Sequence, residues 1–528
     1  MNIRNTLLAG AAVLALAAGA AQAKEMTFAF QGDANSMDPY NLNETFTLGF
    51  MANIYEGLIR RGPNLEIEPA LAESWEIIEP TRWRFHLRKG VKFHGGEDFT
   101  ADDVLFSADR VRGDGSDLKT RLAGVTEVIK VDDHTVDFVT EAANPILHFE
   151  WATWAIMSKT WAEKNGAVSA QSATGDQENF ATRNANGTGP FMLQSREADV
   201  QTVAVANPNW WDNANKEHNL TKVTLKPIGS DATRVAALLS GQVDMAYPIP
   251  VQDMNRVDSN SGTSMLVGPE LRTIFLGMDQ HRDELLYSNI KGKNPFKDIK
   301  VREAMYRAID VEAIKKKVMR GLSEPSALMV APGINGSDPA FTRLELDVDL
   351  AKKLLADAGY PDGFEVGMDC PNDRYVNDEA ICQAVVSMLA KIGVKVNLLA
   401  QPKALYFKKV LAPSLDTSFY LLGWTPGSFD SWNPLFNLHG CYNAETGNGK
   451  FNLGRYCNPE VDALTAKVLS ETDAVKRNAM IREAWVHTTR DIAYIPLHQQ
   501  ALAWGARDGI NVKQRADNQF AWRHVTVD

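Results

Sequence analysis

The residues that most constrain this chain lie between Trp83 and Val104, where the hydrophobic period changes from that of a strand to that of a helix. In Trp83-Arg84-Phe85-His86-Leu87-Arg88 apolar and basic residues alternate, Lys89-Gly90 turns the chain, and Val91-Lys92-Phe93-His94 alternates again before Gly95-Gly96. Two period-two runs around a turn predict a β-hairpin with Trp83, Phe85 and Leu87 on one face and charges on the other. Thr100-Ala101-Asp102-Asp103 then places an acid three residues after a threonine. That is the pattern of a capping box, and it predicts a helix through Val104, Leu105 and Ala108 to about Val111.

Around this segment the texture is uneven. Met26 to Phe30 reads as a strand, Phe46 to Leu58 as an amphipathic helix, and the polar stretch 170–189 as a long loop. A strand-rich stretch follows, to about Pro227, and then a helix capped by Ser230-Asp231. From about residue 296 helices and strands alternate. Helices are expected after Asp298, Asp310, Asp349 and Asp378, and strands over Phe364–Asp369 and Val394–Leu399. Strand, helix and strand within about 35 residues make a βαβ unit with a parallel pair. Two further helices are expected near 459–470 and 473–489, and the last forty residues return to strands. A β-rich first half, an α/β second half and a β tail imply a chain that crosses between two lobes and comes back. Lobes joined by more than one crossing strand form a hinge, and ligands bind between such lobes.

The ends and the bulk composition narrow the class. Arg4, the apolar run Leu7–Ala20 and Ala21-Gln22-Ala23 have the order of a secretory signal peptide, with the mature chain starting near Lys24. The run is shorter than the roughly 20 residues a spanning helix needs, and no cysteine near the cleavage site offers a lipid anchor. The net charge of −11, with no basic block carrying interleaved aromatics, argues against nucleic acid. Four cysteines, Cys370, Cys382, Cys441 and Cys457, are an even set in an exported chain. The preferred of three connectivities joins Cys370 to Cys382 and Cys441 to Cys457. His86 and His94 can share the polar hairpin face, but no third ligand has coordinating spacing, so no metal and no cofactor are expected.

Several of these segments carry a family likeness. Ala72-Glu73-Ser74-Trp75 and the run Trp83 to Val104 resemble the signature of the bacterial extracellular solute-binding protein family 5, which holds the dipeptide- and oligopeptide-binding proteins of ABC importers. Gly187-Thr188-Gly189-Pro190-Phe191, Ala236–Asp244, Pro295–Ala304 and Gly423-Trp424 are similar to further family landmarks in the same order. The resemblance implies an α/β, two-lobe periplasmic binding protein of type II with three domains and a hinge. Residues 24–65, 188–278 and 498–528 would form a discontinuous domain I, 66–187 domain II and 279–497 domain III. It implies a monomeric, non-enzymatic periplasmic receptor that captures a peptide or peptide-like solute and passes it to permease subunits in the inner membrane.

The resemblance also marks where this chain departs from the pattern. Peptide binders of the family hold the α-ammonium with an Asp three residues after the Trp of the Gly-Trp motif; that position here is Gly427. Asp430, three residues later, is either a loop cap or a substitute anchor. Arg374 falls near the place where dipeptide binders put a carboxylate-holding Arg, and a guanidinium suits bidentate recognition of a carboxylate. Trp424 and Trp432 flank the same loop as candidate aromatic walls. Asn43 and Glu44 follow the first strand in a loop that faces the cleft in the family. A buried ammonium without a partner is costly, so an opine, a modified amino acid or an oligosaccharide is an alternative to a peptide.

Two other classes share parts of this profile. A secreted hydrolase would need a nucleophile elbow, an H-E-x-x-H motif or a free reactive cysteine, and the sequence has none. A periplasmic chaperone or sensor using the same clamp is the remaining alternative.

Overall fold

The computed structural model describes residues 24–528 apart from Thr174 and Asp176. The expected signal peptide over 1–23 lies outside the described residues. One long mixed sheet runs through both lobes. Its strand order is Val394–Gln401, Phe364–Pro371, Phe419–Trp424, Thr263–Met278, Ile495–Arg507, Met245–Tyr247, Glu25–Phe30, Lys222–Pro227, Gln201–Ala206 and Phe191–Glu197.

Two strands in the middle of that order belong to both lobes. The first part of Thr263–Met278 pairs with Ala501 to Arg507; the second part pairs with Ile495 to Gln499 and, on its other edge, with Phe419–Trp424. The ladder between them is interrupted from Pro269 to Thr273. An irregularity of this kind kinks a strand and raises its local twist, so the sheet changes direction where it passes from one lobe to the other. The crossing expected from the β tail is therefore made by two antiparallel neighbours.

Each lobe has its own core. One cluster is built from residues of the first half and of the C-terminal tail, among them Phe28, Phe85, Phe138, Trp151, Trp154, Trp504 and Trp522. A second fills the α/β region around Phe296, Val366, Ile381, Val385 and Leu421. The parallel pair Phe364–Pro371 with Val394–Gln401 and the helix Asp378–Leu389 between them form the expected βαβ unit. Helices Pro459–Ser470 and Ala474–Arg490 also form as expected.

The hairpin does not form as read. Strand Arg82–Leu87 pairs with Ala72–Glu79 on one side and with Thr135–Thr140 on the other, inside a four-stranded antiparallel sheet. Residues 91–99 instead close on themselves: Phe93 N donates to Glu97 O, Phe99 N donates to Val91 O, and Gly96 turns at φ +97°. The alternation of 91–94 reflects Val91 and Phe93 turning into the core of this loop, which gives the same pattern as a strand. The apolar face of the first run stands as read, with Trp83, Phe85 and Leu87 all buried. The capping box also forms: Thr100 caps Ala101–Arg112 and Asp103 accepts from Thr100 N at 2.9 Å.

The helix expected over Phe46–Leu58 spans only Thr45–Met51, and smaller differences occur elsewhere. Asp347, not Asp349, caps the helix Val348–Asp357, and a short helix Phe180–Arg183 interrupts the long loop. Gly187 has a steric reason: a Cβ there would lie 2.0 Å from Ile54 O, because the strand lead-in is pressed against the end of helix Thr45–Met51. His94 is half-buried beside this contact and bonds Gly189 O at 3.0 Å, while His86 sits at the surface beside Glu76. The two histidines do not meet.

Candidate functional site

Three neighbouring parallel strands of the second lobe end on the same side of the sheet: Phe364–Pro371, Val394–Gln401 and Phe419–Trp424. In α/β sheets ligands gather outside the carboxyl ends of strands, and here those ends deliver Arg374, Lys403 and Gly423-Trp424. Across from them lies the loop that follows Glu25–Phe30 in the first lobe.

Glu44 ends that loop and caps helix Thr45–Met51. Its carboxylate accepts from Phe46 N at 3.1 Å, Thr47 N at 2.8 Å and Thr47 Oγ1 at 2.8 Å, a favourable place for negative charge. The same carboxylate reaches the other lobe, with Oε1 3.0 Å from Arg374 Nη2 and Oε2 3.7 Å from Lys403 Nζ. Burial alone would raise the proton affinity of Glu44. Arg374, Lys403 and the Thr47 bonds more than reverse that and hold it well below the usual carboxylate range.

Arg374 is itself positioned by its own lobe. Its backbone N and that of Tyr375 donate to Asp378 Oδ2, both at 2.9 Å, and its guanidinium lies 4.8 Å from the Tyr375 ring centre. Burial pushes Asp378 up to about 7 in spite of these bonds. Lys403 Nζ donates to Asp33 O at 2.8 Å, a second bond between lobes, and burial lowers its proton affinity more than Glu44 restores it. Tyr375 Oη accepts from Gly423 N at 2.9 Å, and a Cβ at Gly423 would meet Tyr375, Arg272 and Ile274 at less than 3.0 Å. That crowding explains a glycine at a strand end beside the cleft.

Asn43, Glu44, Arg374 and Trp424 thus surround one small cavity of about 60 Å³, together with Arg121. Asn43 Oδ1 accepts from Arg121 Nη2 at 3.2 Å. Trp424 Nε1 donates to Asn433 Oδ1 at 2.8 Å and its ring packs on Phe451. Asp430 is elsewhere. It is 3 % exposed, it accepts from Arg477 through both oxygens at 2.7 Å, and it caps its own loop through Trp432 N. These bonds are those of a loop cap, the first of the two roles left open for it.

Trp432 faces a different space. Stacked on Phe436 at 4.8 Å, it lines a chamber of about 660 Å³. One wall of the chamber is the first-lobe segment from Arg112 to Asn144 and the other is the second-lobe segment from Trp432 to Ser470. The volume is in the range of small-molecule sites. Thr446 and Asn448 add polar groups to the aromatic wall, and Asn144 adds one to the wall opposite. Among the described residues no group of His, Cys, Asp or Glu is arranged to hold a metal ion.

The family model of the bacterial extracellular solute-binding proteins, family 5, matches residues 66–446. The chain belongs to this family. It is similar to heme-binding protein A of Haemophilus influenzae, with 27% identity over 94% of each chain. It is also similar to a dipeptide-binding protein of Escherichia coli, with 28% identity over 89% of this chain and 88% of that one. Among solved structures it superposes on the ABC transporter-associated periplasmic binding protein DppA of Helicobacter pylori in complex with the peptide STSA. The TM-score is 0.84 at 23% identity, over 96% of this chain and 98% of that one. The two-lobe fold and the role of a family 5 solute-binding component of an ABC importer follow.

Within the family frame, sequence reading missed Lys403, Tyr375 and Arg121. Lys403 carried a usable signal: it stands two residues past the second strand of a parallel pair whose first strand leads to Arg374. Arg121 carried none, because it meets Asn43 only through packing within the first lobe, 78 residues away in sequence.

Proposed function

We propose that this family 5 protein is exported with cleavage near Ala23 and works as a monomer without chemical turnover. It holds a peptide or peptide-like solute between its lobes and presents the closed form to its permease. Residues 24–65, 188–278 and 498–528 with 66–187 would form the first lobe, and 279–497 the second. The observation that carries this reading is the 660 Å³ chamber, whose two walls come from different lobes. A solute bound there touches both and favours closure by its differential contacts.

A second reading keeps the transport role but takes a solute with no free α-ammonium, such as an opine, a modified amino acid or an oligosaccharide. Gly427 supplies no carboxylate, and Asp430 spends its own on Arg477.

Thermal unfolding of the mature protein against short peptides and against opine- and sugar-type solutes tests both. Ligand at about 100 times its dissociation constant stabilises by roughly 2.7 kcal/mol, enough to raise the midpoint by a degree or more in a protein of this size. A rise with peptides supports the first reading, and a rise with the other solutes alone supports the second. No rise with any class counts against solute capture in the chamber.

A further inference from the structure

Two cations of the second lobe, Arg374 and Lys403, are closed off from water at the end of the cleft, with 6 % and 4 % of their side chains exposed. A charge so buried needs a partner. The carboxylate of their own lobe that lies nearest in sequence, Asp373, accepts from the backbone N of Lys403. The carboxylate that meets both cations comes from the opposite lobe and is Glu44, itself 2 % exposed on its side chain. Another ion pair spanning the lobes, Lys450 with Asp117 at 3.0 Å, is wetter, at 20 % and 14 %.

We infer that Glu44 is a tethered counter-ion that takes the place of a solute carboxylate on Arg374 and Lys403, so that the lobes close on these cations without help from the solute. The arrangement follows from the helix that Glu44 caps. The cap bonds to Phe46 N and Thr47 N hold the carboxylate in one orientation before the second lobe arrives, so little side-chain freedom is lost on closing. A solute bearing a carboxylate at this end must displace Glu44. A solute without one leaves the cluster complete. Glu44 is then a specificity residue that favours solutes presenting neutral groups to this end of the cleft.

The inference concerns the protein without solute, so a failed solute screen leaves it standing. The experiment is X-ray scattering on the mature protein, unfolded and refolded to strip bound solutes. Glu44→Ala, Arg374→Gln and the double variant are compared with wild type. The expected result is a larger radius of gyration in each single variant and no further increase in the double.

Loss of the helix cap is a competing cause of opening in Glu44→Ala. Arg374→Gln and Lys403→Met keep the cap and are expected to open the protein as well. Circular dichroism and a cooperative melt check that each variant is folded. Sodium acetate is expected to bring Glu44→Ala back toward the wild-type radius, and acetamide at equal concentration is not. Overturning results are a Glu44→Ala radius equal to wild type, additive opening in the double variant, or equal effects of acetate and acetamide.

Discussion

Arg477 and Asp430 form a bidentate pair in which each guanidinium nitrogen stands 2.7 Å from one carboxylate oxygen, both side chains being less than 8 % exposed. The pair ties helix Ala474–Arg490 to the loop after Trp424. Asn335 Nδ2 adds a further bond to Asp430 at 2.8 Å. All of these bonds lie within the second lobe.

Asp430→Ala is expected to leave Arg477 buried without a partner, and removing one member of a buried pair costs about 3–5 kcal/mol. The thermal midpoint should fall by several degrees. Asp430→Ala with Arg477→Met should recover part of the loss. An Asp430→Ala variant that melts like wild type while losing solute would return Asp430 to the role of ligand anchor.

Ala142 lines the large chamber from the first lobe and is exposed. Ala142→Trp is expected to fill part of the chamber without disturbing a core. The solute-free melt should stay within about a degree of wild type, as for most surface changes. The stabilisation by whichever solute is found should drop, with affinity weaker by on the order of tenfold, which is ~1.4 kcal/mol. Titration calorimetry reads the difference directly.

His439 is buried among Tyr456, Trp485 and Tyr494, and neither ring nitrogen has a hydrogen-bond partner. Burial pushes its pKa down to about 3. The unfolded chain therefore takes up this proton near pH 6.5 while the folded chain refuses it. The stability it supports is full above pH 6.5 and is lost as pH falls toward 3, reaching on the order of 2 kcal/mol by pH 5. His498, pushed down to about 3 by burial and by Arg343, adds in the same direction. Asp378, raised to about 7 by burial, works the other way, so the comparison is between variants. His439→Leu should show a shallower fall of the melting midpoint between pH 7.5 and 5 than wild type, and an unchanged slope would contradict the assignment.

Cys370 and Cys382 are joined, as are Cys441 and Cys457. The first bridge ties strand Phe364–Pro371 to helix Asp378–Leu389 around the turn that carries Arg374. Cys370→Ala with Cys382→Ala frees a closed segment with a sequence separation of 12, a loss of about 3 kcal/mol on the chain-entropy account. Chemical denaturation should show the midpoint move down, and dithiothreitol should lower wild type but not the double variant by this bridge's share.

The sequence by itself determined the parts that depend on local order. Alternation in 82–87 put Trp83, Phe85 and Leu87 inward, Thr100 and Asp103 made their box, and the strand–helix–strand spacing of 364–401 produced a parallel pair. The long family motif was legible for the same reason: its glycines and caps answer contacts made within short stretches or against one fixed neighbour. Tertiary structure alone decided which strand paired with Arg82–Leu87, because alternation sets a face and not a partner. It also decided the site. Glu44 and Arg374 are 330 residues apart and lie in different lobes, and Asp430 found Arg477 rather than the cleft. Charges in sequence are long-range and non-directional until folding removes water from between them, so only the closed fold could say which carboxylate each arginine would keep.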